Sequence, residues 1–181
     1  MNTLIRSLRD SAKEIYRPRT LTTVSLLIAL NILLGALTIV PIPSLKIGLG
    51  FTATATMGYL LGPVPAFIGA GLCDIIKYLL RPEGPYAFGL TLCSATGGLL
   101  YGLTLYRRKP NFWRILLAKG LVSLIVNVIG NTLCLSILYG KSIAALLPVR
   151  LVKNAVALPL EAALLTAVFF GVERAWRRIR R

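Results

Sequence analysis

The stretch IGLGFTATATMGYLLGPVPAFIGAGLC, residues 47–73, carries no charged side chain. A membrane-crossing helix needs about 20 apolar residues, so this run is too long for one span, and Gly62-Pro63-Val64-Pro65 divides it. Proline lacks an amide N–H and restricts the residue before it. The division predicts two helices, over residues 47–61 and 65–80. The first covers roughly 22 Å, less than the ~30 Å hydrocarbon core. It has to stand nearly upright or be shielded from lipid.

Residues 20–45 and 87–106 are equally free of charge. Of the 181 residues, 56% are apolar and 15% charged, against about 25% charge in an average soluble domain. That deficit excludes an ordinary soluble fold and a disordered chain. There is no histidine, so the common metal sites and most acid–base schemes at neutral pH lose their usual residue. Cys73, Cys93 and Cys134 sit singly inside apolar runs, without metal or redox spacing, and read as small packing residues. The charged segment 1–19 precedes a run too long for the apolar part of a leader peptide, so no cleavable signal is expected.

Four more helices follow from the same punctuation. Helix one is predicted over 21–40, stopped by Pro41-Ile42-Pro43. The turn-rich Arg81-Pro82-Glu83-Gly84-Pro85-Tyr86 leads into helix four, 88–106, which Arg107-Arg108-Lys109-Pro110 ends. Helix five covers 111–139, and Gly140-Lys141 turns the chain into helix six, 142–176, with kinks expected at Pro148 and Pro159. The expected fold is therefore all-α: one integral membrane bundle of six transmembrane helices. It forms a single domain over 1–181, with a basic amphipathic arm (1–19), the bundle (20–176) and a basic tail (177–181). No internal repeat or second domain is evident.

The net charge of +15 orients this bundle. Arg6, Arg9, Lys13, Arg17 and Arg19 lie in the arm, Arg107, Arg108, Lys109 and Arg114 between helices four and five, and Arg174, Arg177, Arg178, Arg180 and Arg181 at the C-terminus. Six spans put all three groups on one side, leaving Lys46, Lys77, Arg81 and Lys141 near the other. The positive-inside rule makes both termini cytoplasmic. Five spans would put the basic tail outside. The cations thus serve orientation and contact with anionic lipid, and no nucleic-acid partner is expected.

A charge in the bilayer core costs at least ~2.5–3.5 kcal/mol on insertion scales, so polar residues inside spans need a partner or a water-filled hollow. Helix three carries Asp74 and Lys77, helix five Asn127 and Asn131, helix six Arg150, Lys153, Asn154 and Glu161. Arg150, Asn154, Ala157 and Glu161 share one helical stripe, and Lys153 borders it. Asp74 and Arg150 both lie roughly 10 Å from the outer surface. They are expected to meet around an outward-facing polar cavity, with surplus cations seeking an anionic ligand; a plain ion pair between Asp74 and Arg150 or Lys153 is the structural alternative. Lys119 is expected to snorkel at the inner surface. Gly58/Gly62, Ala66/Ala70 and Gly98/Gly102 have the small-residue spacing of closely packed helices. No phosphate loop, nucleophile elbow or zinc-protease motif occurs. No enzyme, cofactor or metal is expected.

Taken together, the segments Lys46-Ile-Gly-Leu-Gly-Phe51, Leu61-Gly-Pro-Val64, Asp74, Pro82-Glu-Gly-Pro-Tyr-Ala-Phe-Gly-Leu-Thr-Leu92, Gly98-Leu-Leu-Tyr-Gly102, Arg150-Leu-Val-Lys-Asn154 and Leu158-Pro159 resemble the S components of energy-coupling factor (ECF) vitamin transporters. Within these the chain is most similar to the folate-specific FolT group. The similarity spans nearly the whole chain, and the Pro82–Leu92 segment is its most specific part. The resemblance implies a multi-pass protein of the cell membrane that captures folate from outside. It delivers the vitamin inward with a membrane T component and two cytoplasmic ATPases. The family's docking pair on helix one is usually Ala-x-x-x-Ala, and here Ser25 and Ala29 take its place; the literal Ala66-x-x-x-Ala70 reads as packing. Lys46 stands where the group often has arginine, losing a bidentate fork for a carboxylate.

A pterin edge offers adjacent N–H donors that one carboxylate accepts as a pair. Asp74 is the candidate, with the deeper Glu161 as alternative. Asn127, Asn131 and Asn154 are candidates for amide hydrogen bonds, and Lys153, Arg150 and Lys46 for the tail carboxylates. Phe51, Tyr86, Phe88 and Tyr101 are candidate stacking residues. The loops 40–46 and 81–88 are candidate gates. Another vitamin (pantothenate, riboflavin or a thiamine precursor) and a stand-alone secondary transporter remain as other readings.

Overall fold

The computed structural model describes residues 8, 9, 11, 12, 15, 18–36, 38–42, 45–82, 84–108, 111–140 and 142–179, with the backbone alone for 38–42, 45–47, 145–146 and 175–179. Most of the expected amphipathic arm and the end of the basic tail lie outside these residues. Six rods build the bundle. They are α1 (Pro18–Ala36), α2 (Gly50–Leu61), α3 (Pro63–Leu80), α4 (Phe88–Leu105), α5 (Phe112–Tyr139) and α6 (Ile143–Ile179). Five contain a stretch long and apolar enough to cross a membrane; α2, with 12 residues, does not.

The helix predicted over 21–40 ends early. After Ala36 the chain forms a two-stranded antiparallel hairpin, β1 (Thr38–Ile42) and β2 (Leu45–Gly48), with Thr38 opposite Gly48 and Ile42 opposite Leu45. Thr38-Ile39-Val40 is a β-branched run, stiff at χ1 and poor in helices. Pro41 then removes a donor and disfavours helical geometry before it. The register shifts between Ile39 and Ile42, around Pro41. The architecture is thus helical with a small β-cap, not purely α; of the gate candidate 40–46, residues 40–42 and 45–46 lie in that cap and 43–44 lie outside the described residues.

Gly62 separates α2 from α3 with φ 93°, a conformation open to glycine, and Pro63 occupies the first turn of α3, where its missing N–H is harmless. Ser11 seals this turn: its hydroxyl donates to the Leu61 carbonyl and accepts from the Val64 N–H. The expected shielding of the short helix is found, because eight of its 12 residues are buried. The small-residue pairs are packing contacts. A Cβ on Gly98 would collide with the Ala66 carbonyl, one on Gly102 with Pro63, and one on Gly58 would come within 2.7 Å of the Gly102 nitrogen.

The bundle is apolar on its outer surface as well as in its core. On α1 the buried residues are Thr20, Leu27 and Asn31, while Leu26 and Leu33 are about two-thirds exposed. Ser25 and Ala29 lie on its exposed surface. Apolar side chains turned outward over the length of a helix suit lipid, not water. Cys93 and Cys134, distant in sequence, meet across α4 and α5 with sulfurs 4.0 Å apart, each set against a glycine of the opposite helix.

α5 is not α-helical throughout. Residues Ser123–Gly130 form a π-helix between Phe112–Val122 and Asn131–Tyr139. Gly140, left-handed at φ 63°, ends the rod. In the wide turns a carbonyl becomes available to outside donors, and the Asn127 carbonyl accepts Arg150 Nη1 of α6 at 3.2 Å.

Candidate functional site

At the hairpin end, a cavity of about 690 Å³ opens between α1, α3, the 81–87 loop and the ends of α4 and α5. Behind it lies a smaller chamber of about 170 Å³, reaching Phe51, Tyr101, Lys119 and Asn127. Asp74 and Lys77 line both. They follow one another at i, i+3 and so share a face of α3.

The Asp74 carboxylate is held by hydroxyls of α4. Thr91 Oγ1 donates to Oδ2 at 2.8 Å and Ser94 Oγ to Oδ1 at 3.1 Å. Thr91 and Ser94 are themselves i, i+3 on the facing helix. A carboxylate has about four acceptor sites, so one remains on each oxygen. Tyr86, at the end of the loop and 42% exposed, bonds Thr91 Oγ1 at 2.8 Å. Lys77 reaches the opposite wall and donates to Asn31 Oδ1, whose Nδ2 donates to Thr54 Oγ1 at 2.7 Å. Its side chain fits a slot between helices: a Cβ on Gly35 or on Gly50 would lie 3.1 Å from Nζ. Two of the ammonium's three donors stay available to an anion. Arg81 adds a second cation at the cavity wall.

A second ionic group lies deeper. Lys119 Nζ is 3.0 Å from Glu161 Oε2, both nearly inaccessible, and 3.9 Å from the Phe51 ring centroid. The expected snorkelling of Lys119 is therefore wrong: this lysine is 2% exposed and neutralised by α6. The same pair occupies Glu161. Above it, Asn127 Nδ2 donates to Asn154 Oδ1 at 3.2 Å, and Asn154 Nδ2 to the Arg150 carbonyl at 2.8 Å.

The predicted residues thus separate into groups. Asp74 and Tyr86 line the larger cavity; Asp74, Phe51, Tyr101 and Asn127 line the chamber. Arg150 and Asn154 lie behind Asn127 and line neither; Asn131 also lines neither. Lys153 is exposed and Phe88 is 70% exposed. Lys46 lies in β2, its side chain outside the described residues. The expected meeting of Asp74 with Arg150 around one hollow is replaced by Asp74 with Lys77. The sequence reading missed Thr91, Ser94, Asn31 and Thr54 as partners; the hydroxyls at i, i+3 opposite Asp74 were the available signal.

The chain matches the family model of the ECF transporter, substrate-specific component, over residues 19–169. It belongs to that family. As an S component it is a substrate-holding membrane subunit of a transporter and not an enzyme. It is 34% identical to the folate transporter FolT of Clostridium novyi over 148 residues, 82% of this chain and 86% of that protein. It is 33% identical to FolT of Streptococcus mutans over 147 residues, 77% and 76% of the two chains. A crystal structure of FolT bound with folic acid superposes with a TM-score of 0.73 at 28% identity, covering 82% of this S component and 91% of that chain.

Proposed function

We propose that this S component captures folate at the hairpin end and hands it to the cytoplasm in partnership with a T component and two ATPases. The observation that carries this reading is the Asp74 carboxylate, clamped by two hydroxyls in the wall between two cavities and beside a lysine with donors to spare. The pair of open acceptor sites suits the adjacent N–H donors of a pterin edge. Phe51 and Tyr101 offer the ring flat apolar walls in the chamber. Lys77 and Arg81 face the larger cavity, where the glutamate tail lies. A volume of about 690 Å³ falls within the usual range for small-molecule sites. Asn127 completes the chamber, braced from α6 by Arg150 and Asn154; exposed Lys153 and Phe88 make no contact in this assignment. FolT homologues and a folic acid complex of the same fold support the choice of vitamin.

Six crossings, with α2 as a short shielded one, put the hairpin end outside and both termini in the cytoplasm of a cell-membrane protein. The concentration of arginine and lysine near the termini and in the 107–114 segment supports that direction. Ser25 and Ala29, exposed on α1, provide a small-residue face for the T component. Titration of the purified chain with folate tests the proposal. Sub-micromolar binding is expected; no folate binding alongside tight binding of another vitamin overturns it. Uptake by vesicles holding this chain alone, with no ATPase, overturns the partnership.

A further inference from the structure

Tyr86 and Thr91 both fall in the Pro82–Leu92 segment, yet five residues apart they would not meet on a continuous helix. They meet because Ala87 is extended, φ −116° and ψ 106°, and turns the loop onto the first turns of α4. Thr91 is buried, and its one hydroxyl proton is committed to Asp74, which only accepts. Tyr86 must therefore be the donor in the Tyr86–Thr91 bond. The result is a one-way chain of hydroxyls, Tyr86 to Thr91 to Asp74, running from the exposed rim of the cavity to the carboxylate between cavity and chamber. Such chains strengthen cooperatively. The rim is fastened a second time to α3: the Tyr78 hydroxyl donates to the Gly84 carbonyl at 3.0 Å, and the Tyr78 and Tyr86 rings lie 5.0 Å apart.

The geometry points to Thr91 as a positioning residue with two tasks. It turns the Asp74 carboxylate so that Oδ2, like the Ser94-bound Oδ1, keeps one acceptor site for the ligand, and it ties Tyr86 to that carboxylate so that the rim of the cavity and the ligand-reading group hold or loosen together. This rests on the folate reading above. Ligand donors landing on Asp74 then find it already oriented, and the same bonds keep Tyr86 over the exit. Cutting the chain at Thr91 releases both ends, whereas cutting it at Tyr86 frees only the rim.

The test uses the purified full chain with folate as probe, comparing equilibrium binding and the rate of release. Thr91→Val is expected to weaken binding about tenfold, the worth of one hydrogen bond to a charged group. Thr91→Ser, which keeps the hydroxyl, stays within about twofold of the parent protein. Tyr86→Phe speeds release about threefold, as loss of one neutral hydrogen bond would, and adds nothing to Thr91→Val because the chain is already cut. Thr91→Val binding like the parent protein overturns the inference. So does Thr91→Ser failing as badly as Thr91→Val, or Tyr86→Phe multiplying the effect of Thr91→Val. Tyr86 is partly exposed, so Tyr86→Phe keeps the test open where Thr91→Val misfolds: unchanged release in that variant also overturns it. Asp74→Asn separates the two levels. If Asp74→Asn binds folate like the parent, the folate reading falls and this inference with it. If Asp74→Asn is weak while Thr91→Val is normal, only this inference falls.

Discussion

Two of the charged groups inside the described spans are treated in opposite ways. Lys119 and Glu161 close on each other at 3.0 Å, with Phe51 over the lysine, and water scarcely reaches them. Asp74 and Lys77 share a face without closing on each other; each is satisfied by neutral groups, hydroxyls for the acid and an amide for the base, and both line open space. A closed ion pair is neutral as a unit and offers a ligand little charge, even where Lys119 borders the chamber. A charge held by neutral partners keeps its sign, its direction and part of its hydrogen-bonding capacity. The burial of an ionisable residue in a membrane therefore says little about function until its partner is known.

The largest effect is expected from breaking the sealed pair. Glu161→Leu leaves Lys119 buried without its counter-ion and costs about 3–5 kcal/mol, seen as a large drop in melting temperature in detergent; adding Lys119→Met restores most of it. Asp74→Asn comes next and shows the reverse pattern. Folate binding falls by about 1.5–3 kcal/mol, the value of hydrogen bonds to a charged acceptor, while ligand-free melting hardly moves. In that variant saturating folate also raises the melting temperature less than in the parent protein, because stabilisation follows occupancy. Lys77→Met is expected to weaken folate by about 1–1.5 kcal/mol. Raising salt from low to physiological levels should weaken the parent more than this variant, since the lysine lines a cavity open to ions; equal salt slopes in titration would remove Lys77 from the proposed anion site. Smallest are Lys153→Ala and Phe88→Ala, within about 0.5 kcal/mol in stability and binding, as for exposed positions.

The membrane bundle was legible because absence of charge over long runs needs no alignment to interpret. Its breaks were legible where proline or glycine marks them, as at Gly62-Pro63 and Gly140. The hairpin was not, because residues 38–45 continue the uncharged run, and only the β-branched Thr38-Ile39-Val40 before the prolines Pro41 and Pro43 distinguishes strand from the end of a helix. Asp74 stood out in the sequence as an acid inside a span, and the structure places it at the cavity wall. Lys77 stood out beside it as a charge in the same helix, but the partners of both did not. Lys77 reaches Asn31 through a slot that two glycines on different helices, Gly35 and Gly50, leave open. Spacing along one helix cannot show such a slot. Arg150 and Glu161 share a stripe as predicted, but helix six delivers one to Asn127 and the other to Lys119, since what a stripe meets depends on its neighbours.

The wide turns of α5 also bear on how this sequence tolerates change. Each residue added to or taken from an α-helix rotates everything beyond it by about 100°. The wider winding of Ser123–Gly130 takes up such an offset, so the facing of Cys134, Leu138 and Tyr139 depends on this segment keeping its wide turns. Forcing this segment into ordinary winding at its present length would swing Leu138 and Tyr139 off the cavity they line and part the Cys93–Cys134 contact, whereas deleting one residue along with the wide turns would keep their facing. Length and winding in this segment are thus specified together.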